Sequence, residues 1–448
     1  MADIRPFRAI RYNSEKVKLA DVLTQPYDKI TPAMQEKYYA ASPYNLIPVE
    51  KGKTSAADTS ADNVYTRASK VVEEWLAKQI LVQDEQPGIY VYTQEFTVPG
   101  TQAKKTRQGF IGVGRVEDYD AKVVFRHERT LSAPKADRIE LLRQTRLQTG
   151  QLFLLYEDAA RNIEKWIDEV TRAKTPLEMT DEYGVAHRLW PVFQREAIAK
   201  VRKEMADKKL VIADGHHRYE TALHLRNEAR EKSGRTDLEA ASEFAMMTFV
   251  NTHSAGLVIL PTHRLIRAAG GFNLEPFRKQ MTEYFDWKSF SFANATERAK
   301  ACAEFQKGLR AGRDGSRTIG LYAGGGAFHL LTLRGDANLA KILSDVSGAQ
   351  RELDVVLLHR LVLEKGLGIT PEAVAAEKGV GYEREMDAAI AAVDKGEAQA
   401  VFLINPARIE QVMEIALGGD VLPQKSTDFY PKLMSGIANY RAEGKAEK

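Results

Sequence analysis

The chain has 448 residues, roughly three times a typical domain, so two or more hydrophobic cores are expected. Hydrophobic residues at 44% and charged residues at 28% are ordinary globular usage and exclude a fibrous or disordered chain. Lys plus Arg at 64 against Asp plus Glu at 61 leaves a net charge of +3, which argues against a nucleic-acid partner and confines any phosphate contact to a local patch.

The single cysteine, Cys302, has no internal partner for a disulfide or a structural zinc site, so a reducing, cytoplasmic location is expected. The longest apolar run is six residues, Ala388 to Val393, and the opening MADIRPFRAI lacks a hydrophobic core region. Neither a membrane span nor a signal peptide is expected.

In chain order, VLTQPYDKITPAMQEKYY comes first: Pro26 fixes the chain before Tyr27-Asp28, and Thr31 and Pro32 are N-cap and first residue of a helix. A helical pattern follows at 66–80, then strand patterns at 89–98 and 109–116. A strand at 152–156, helices at 161–172 and 190–208, a strand at 209–213 and a helix at 219–232 come next. Strands at 245–250 and 256–260 close the first region, and Gly270 to Phe272 read as the linker. Beyond it lie a helix at 295–309, a hairpin around three glycines in TIGLYAGGGAFHLLTL, a helix at 353–365 and a strand AQAVFLI. Asn405-Pro406 read as N-cap and first residue of a last helix ending near Gly418-Gly419. The alternation predicts a mixed α/β (α+β) chain whose second α/β region starts at about Ala268.

The sharpest local signal is LVIADGHHRYETA, where an apolar strand ends at Asp214 and Gly215-His216-His217-Arg218 lead into a helix. A glycine admits close backbone approach, the first helical amides point at an anion, and Arg218 adds a bidentate contact. Asp214 offers an oxygen ligand for Mg²⁺, and His216 or His217 a donor to a phosphoryl oxygen. The same spacing also reads as a plain turn in which Asp214 caps the helix and both histidines are surface residues. Asp28 is either a general base toward a hydroxyl or a turn-capping carboxylate.

In VVFRHERTLSAPKADRIELLRQTR, Arg126, His127, Glu128, Arg129, Lys135, Arg138, Arg143 and Arg146 suit a polyanion, although the exposed face of an amphipathic helix accounts for at least half of them. No HExxH spacing follows His127-Glu128, so a zinc-protease site is rejected. His253 and His263 either face a common cleft or mark the ends of an apolar strand. Lys425, Ser426 and Thr427 form a polar loop in VLPQKSTDFYPK that reads by default as a surface loop and otherwise as a site for a small carboxylate or phosphate.

These segments, together with RPFRAIRY…PYDKIT, the HExTL stretch and ILPTHRL, resemble nearly end to end the bacterial family catalogued as domain of unknown function 1015. DGHHR between strand and helix is similar to the nucleotide-phosphate motif of the ParB/sulfiredoxin-like superfamily, and in particular to that of archaeal free serine kinases. Pro26-Tyr27-Asp28 and the stretch 395–432 resemble two further segments of those kinases, with Gln424 interrupting the second.

The resemblance implies a ParB/sulfiredoxin-like nucleotide-binding core at 1–267, with an insertion at about 51–200, and a smaller C-terminal α/β region at 268–448 that contributes a substrate loop. It implies a Mg²⁺-dependent phosphotransferase between ADP or ATP and serine or O-phosphoserine, in either direction. Asp214, Gly215, His216, His217 and Arg218 then hold the phosphates, and Asp214 the Mg²⁺. Asp28 is the base, His217, His127 and Glu128 add charge stabilisation, and Lys425, Ser426 and Thr427 hold the amino acid. A ParB-like nucleotide switch without metabolite phosphorylation is the alternative.

Overall fold

The computed structural model describes residues 2–128, 132–234, 238–267, 271–312 and 317–447, with backbone alone at 132–134. Arg129 and Leu131 of the basic stretch and Gly270 of the expected linker lie outside the described residues. The chain is mixed α/β and divides into two compact units. The first holds Met1–Arg126, Thr130–Val258 and Pro431–Lys448, the second His127–Arg129 and Ile259–Tyr430.

The first unit is built on a nine-stranded sheet. Its central strand, Phe244–Asn251, is buried along its whole length and apolar but for Thr248 and Asn251, as expected of a strand covered on both faces. It runs parallel to Leu152–Tyr156 and antiparallel to Lys104–Arg115. Strand Leu210–Asp214 pairs antiparallel with Leu152–Tyr156 and parallel with Val124–Phe125, which brings the end of VIAD to one edge of the sheet. The core gathers Val91, Phe110, Leu154, Ile212, Met247 and Phe249, and the amphipathic helix Asn162–Ala173 closes it with Trp166 edge-on to Phe110 at 6.5 Å.

The second unit is a six-stranded sheet in the order Phe285–Ser291, Ala327–Leu333, Thr318–Tyr322, Ala400–Leu403, His263–Ile266, Val380–Glu383. The glycine hairpin is present: Thr318–Tyr322 pairs antiparallel with Ala327–Leu333, and Gly324, Gly325 and Gly326 all take positive φ in the turn. Ile266, Leu321, Leu331, Leu358 and Phe402 sit in its main core.

Three expectations are corrected. Residues 190–208 are not one helix: Trp190 belongs to strand Ala186–Val192, whose Pro191 is poorly suited to a helix interior, and the helix is Arg195–Met205. Asn405-Pro406 do not cap the last helix, Ile409–Leu417, whose N-cap is Arg408, because the Asn405 amide donates to the Leu309 carbonyl at 2.9 Å. The boundary lies at 258/259 rather than 267/268, since His263–Ile266 pairs with Ala400–Leu403 and Val380–Glu383. The closing residues belong to the first unit, where Tyr440–Arg441 pairs with Leu147–Gln148 and Asn439 exchanges backbone bonds with Ile10. No helix among the described residues is long and apolar enough to cross a membrane.

Candidate functional site

The DGHHR junction is where an apolar strand must hand over to a helix with no loop between them. Gly215 makes the turn at φ +92°, a conformation that disfavours a Cβ, and serves as N-cap of helix His216–Ser233. The first intrahelical bond runs from Tyr219 N–H to the Gly215 carbonyl, so the amides of His216, His217 and Arg218 stand ahead of it at the positive end of the helix. Asp214 Oδ1 accepts from the Gly215 amide at 2.7 Å, and its Oδ2 takes the Lys432 ammonium at 2.9 Å. Burial pushes the Asp214 carboxyl up, but the charges of Lys432, Arg218 and Lys29 outweigh it and hold it below the usual carboxylate range. His216 is buried and His217 half-buried, so the two histidines are not an equivalent pair of surface residues.

Arg218 donates to the Gln151 carbonyl. Gly150 leaves room for it: a Cβ there would stand 2.8 Å from the Arg218 Nη1 and would displace the guanidinium. The Pro26–Lys29 turn, closed by Lys29 N–H to the Pro26 carbonyl at 2.8 Å, approaches the same place. Tyr27 is the link: burial and Asp28 push its phenol up to about 12 while Arg218 and Arg138 pull it back. The Arg138 guanidinium lies over the Tyr27 ring at 4.3 Å. Asp28 itself is exposed on this turn.

Glu50 is a buried carboxylate that ties these segments together. It accepts from the Tyr27 amide at 3.1 Å, Ser435 Oγ at 3.0 Å and Thr149 Oγ1 at 2.5 Å. Its neighbour Lys51 donates to the Tyr27 and Ile30 carbonyls at 3.2 and 2.6 Å, which fixes the turn bearing Asp28. A cavity of about 60 Å³ opens here, lined on its polar side by Tyr27, Glu50, Arg138, Thr149 and Arg218 and on its apolar side by Leu141, Leu142, Leu147 and Leu152. Tyr27, the neighbour of Asp28, and Arg218 of the 214–218 junction thus line one cavity in the first unit.

Glu50, Lys51, Gly150 and Lys432 are members that sequence reasoning did not single out. The first two sit in a short helix, Ile47–Glu50, and its C-cap, with no periodic signal, and Lys432 lies 218 residues from its partner. The basic stretch resolves in the opposite direction. Arg126 and Lys135 pair with Glu220 at 3.4 and 3.3 Å, Arg143 pairs with Glu140 and Glu228, and only Arg138 of these enters the cavity.

The remaining candidates fall in the second unit. His127 is fully buried, its Nε2 2.8 Å from Thr427 Oγ1 and its ring edge-on to Phe429. Glu128 Oε1 accepts the Lys425 amide at 3.2 Å, so His127-Glu128 and the 423–427 loop form one assembly. Ser426 is buried with its hydroxyl turned to the Pro423 carbonyl, and Lys425 is exposed at φ +58°. Arg264, also buried, donates to the Gln424 and Lys425 carbonyls at 3.2 and 3.1 Å and fixes the loop from beneath. His253 is exposed in the first unit, whereas His263 is buried in the second, where burial and Arg264 push it down to about 3.

A search of curated proteins found no match. Among solved structures, a free serine kinase in complex with AMP matches at 14% identity and TM-score 0.32, over 72% of this chain and 88% of that one. A conserved hypothetical protein from Pyrococcus furiosus matches at 15% identity and TM-score 0.32, over 68% and 87%. SbnI from Staphylococcus aureus, truncated at its C-terminus, matches at 9% identity and TM-score 0.33, over 72% and 85%. At this level of superposition no residue role is transferred from them. The family profile reaches further, matching residues 4–356, and the chain belongs to the family described as Protein of unknown function (DUF1015).

Proposed function

We propose that the chain is a phosphotransferase acting between a nucleotide, ADP or ATP, and a small hydroxy amino acid, serine or O-phosphoserine. One observation carries this reading: an exposed carboxylate, Asp28, sits on a turn held by Glu50 and Lys51 whose Tyr27 lines the same cavity as Arg218. Phosphoryl transfer needs little more than such a pairing of a positioned base with a preorganised anion cradle.

In the kinase direction, the amino-acid hydroxyl oxygen attacks the terminal phosphorus, its proton passes to Asp28, and the bond to the leaving phosphate oxygen breaks. The helix amides of His216 to Arg218 and the Arg218 guanidinium stabilise charge on the phosphoryl oxygens, and His217 donates to one of them. The reverse direction uses the same groups, with Asp28 returning the proton. Lys425, Ser426 and Thr427 are assigned to the amino acid, and His127 and Glu128 to charge stabilisation.

Among the described residues no group of three or more His, Cys, Asp or Glu side chains surrounds a common point, and Asp214 is already paired with Lys432. That donor set fits Mg²⁺ only as an ion carried by the nucleotide, with Asp214 as its protein ligand. Bound so, the metal would neutralise phosphate charge.

The test is to incubate the full chain with Mg²⁺, ADP or ATP, and serine or O-phosphoserine, and to follow products by ³¹P NMR. Conversion in either direction is expected. Nucleotide binding without conversion would instead favour the ParB-like switch.

A further inference from the structure

A cavity of about 170 Å³ lies within the second unit, at the C-terminal end of strand Ala400–Leu403. Its polar lining includes Arg317, Glu352, Asp354, Asn405, Arg408 and Glu414. None of the phosphate-cradle residues lines it.

Asp354 is the unusual member. Its carboxylate meets the Asn405 amide at 3.5 Å, the outer limit of a hydrogen bond, and that amide is better placed on the Leu309 carbonyl at 2.9 Å. Burial pushes the Asp354 carboxyl up to about 7, although Asn405, Arg317 and Arg408 all act to lower it. Arg317 meanwhile pairs with Glu352 at 3.1 Å on a partly exposed rim. A desolvated carboxyl facing a polar cavity with so poor a partner adds little to the fold, and such groups mark ligand sites.

We propose that this cavity binds a small zwitterion, its ammonium group against Asp354 and its carboxylate against Arg317 and Arg408. The lining carries both signs of charge, as a ligand bearing both requires, whereas a simple anion would meet Asp354, Glu352 and Glu414, and a simple cation would meet the two arginines. An α-amino acid is the chemical class that answers this pattern. Because the ammonium favours the ionised form of Asp354, affinity rises with pH up to about 7 and levels off above it. The charged groups facing Asp354 around the cavity are Arg317, Glu352, Arg408 and Glu414. The inference is independent of the phosphotransferase reading, although Ser426 of the 423–427 loop also lines the cavity, so the test is made without nucleotide.

The full chain is screened by thermal shift against the common L-amino acids, with acetate and methylammonium as single-charge controls, and the best binder is titrated calorimetrically between about pH 5 and pH 8. At least one amino acid should raise the melting temperature while neither control does. Asp354→Asn should weaken that amino acid about tenfold or more and flatten the pH dependence, with Arg408→Gln as the second variant should the first not fold. No shift from any amino acid, equal binding of acetate, or unchanged affinity in a folded variant would each overturn the assignment. Loss of phosphoryl transfer with amino-acid binding intact would instead count against the catalytic reading alone.

Discussion

Gly215, at φ +92°, is where the chemistry of the site depends most narrowly on one residue type. A Cβ there would also stand 3.2 Å from Arg218 Nε, so Gly215→Ala should cost about 1–2 kcal/mol of stability, seen as a lower melting temperature, and should displace Arg218. Asp28 was legible because proline and the following helix cap mark its turn, and Asp28→Asn keeps turn-capping ability while removing basicity. Turnover should fall about 10²-fold or more with the thermal melt unchanged, whereas near-normal kcat would return Asp28 to a structural turn. Glu50 and Lys432 were not legible, because a buried carboxylate bonded to residues 23, 99 and 385 positions away leaves no local mark. Asp354 carries a pH signature of its own. Its folded value, about 7, lies above its ordinary 3.8, so its contribution to stability is fully present below about pH 4 and is lost as pH rises through about 7. Thermal melts should therefore find Asp354→Asn equal to wild type near pH 4 and more stable near pH 8.

Elements were readable where their signals are local. Thr31 accepts from the Met34 amide at 3.2 Å at the head of helix Pro32–Ala41, as the Thr-Pro pair predicts, and the three-glycine turn joins the strands expected on either side of it. The helix proposed over 190–208 failed because strand Ala186–Val192 is set by pairing with Ile89–Thr97, a contact about a hundred residues away that outweighs local pattern. The 423–427 loop shows the same limit. Its residues were picked out, but not that Arg264 and Glu128 hold its backbone while His127 meets Thr427. Thr427→Val preserves shape and removes the hydroxyl, leaving the buried His127 ring without that partner. A loss of about 1–3 kcal/mol is expected, together with a raised KM for serine or O-phosphoserine and unchanged nucleotide affinity. A fall in nucleotide affinity with the amino-acid KM unmoved would reverse the assignment of the loop.

At the scale of the whole molecule, the chain forms two compact units but does not pass from one to the other once. Residues from Pro431 onward belong to the first unit and bring Lys432, Ser435 and Asn439 into it. No composition shift marks that return, because it is made by backbone pairing with Leu147–Gln148 and Ile10. A chain ending at Tyr430 should therefore melt earlier and lose the cation that pairs with Asp214. The central claim is that the Asp214–Arg218 junction holds the phosphates of a nucleotide, and calorimetric titration of ADP into the full chain and into Arg218→Ala tests it most directly. The wild-type chain should bind, and the variant should lose about 1.5–3 kcal/mol of affinity while remaining folded. Absence of binding by the wild-type chain, or equal affinity in the folded variant, would contradict it.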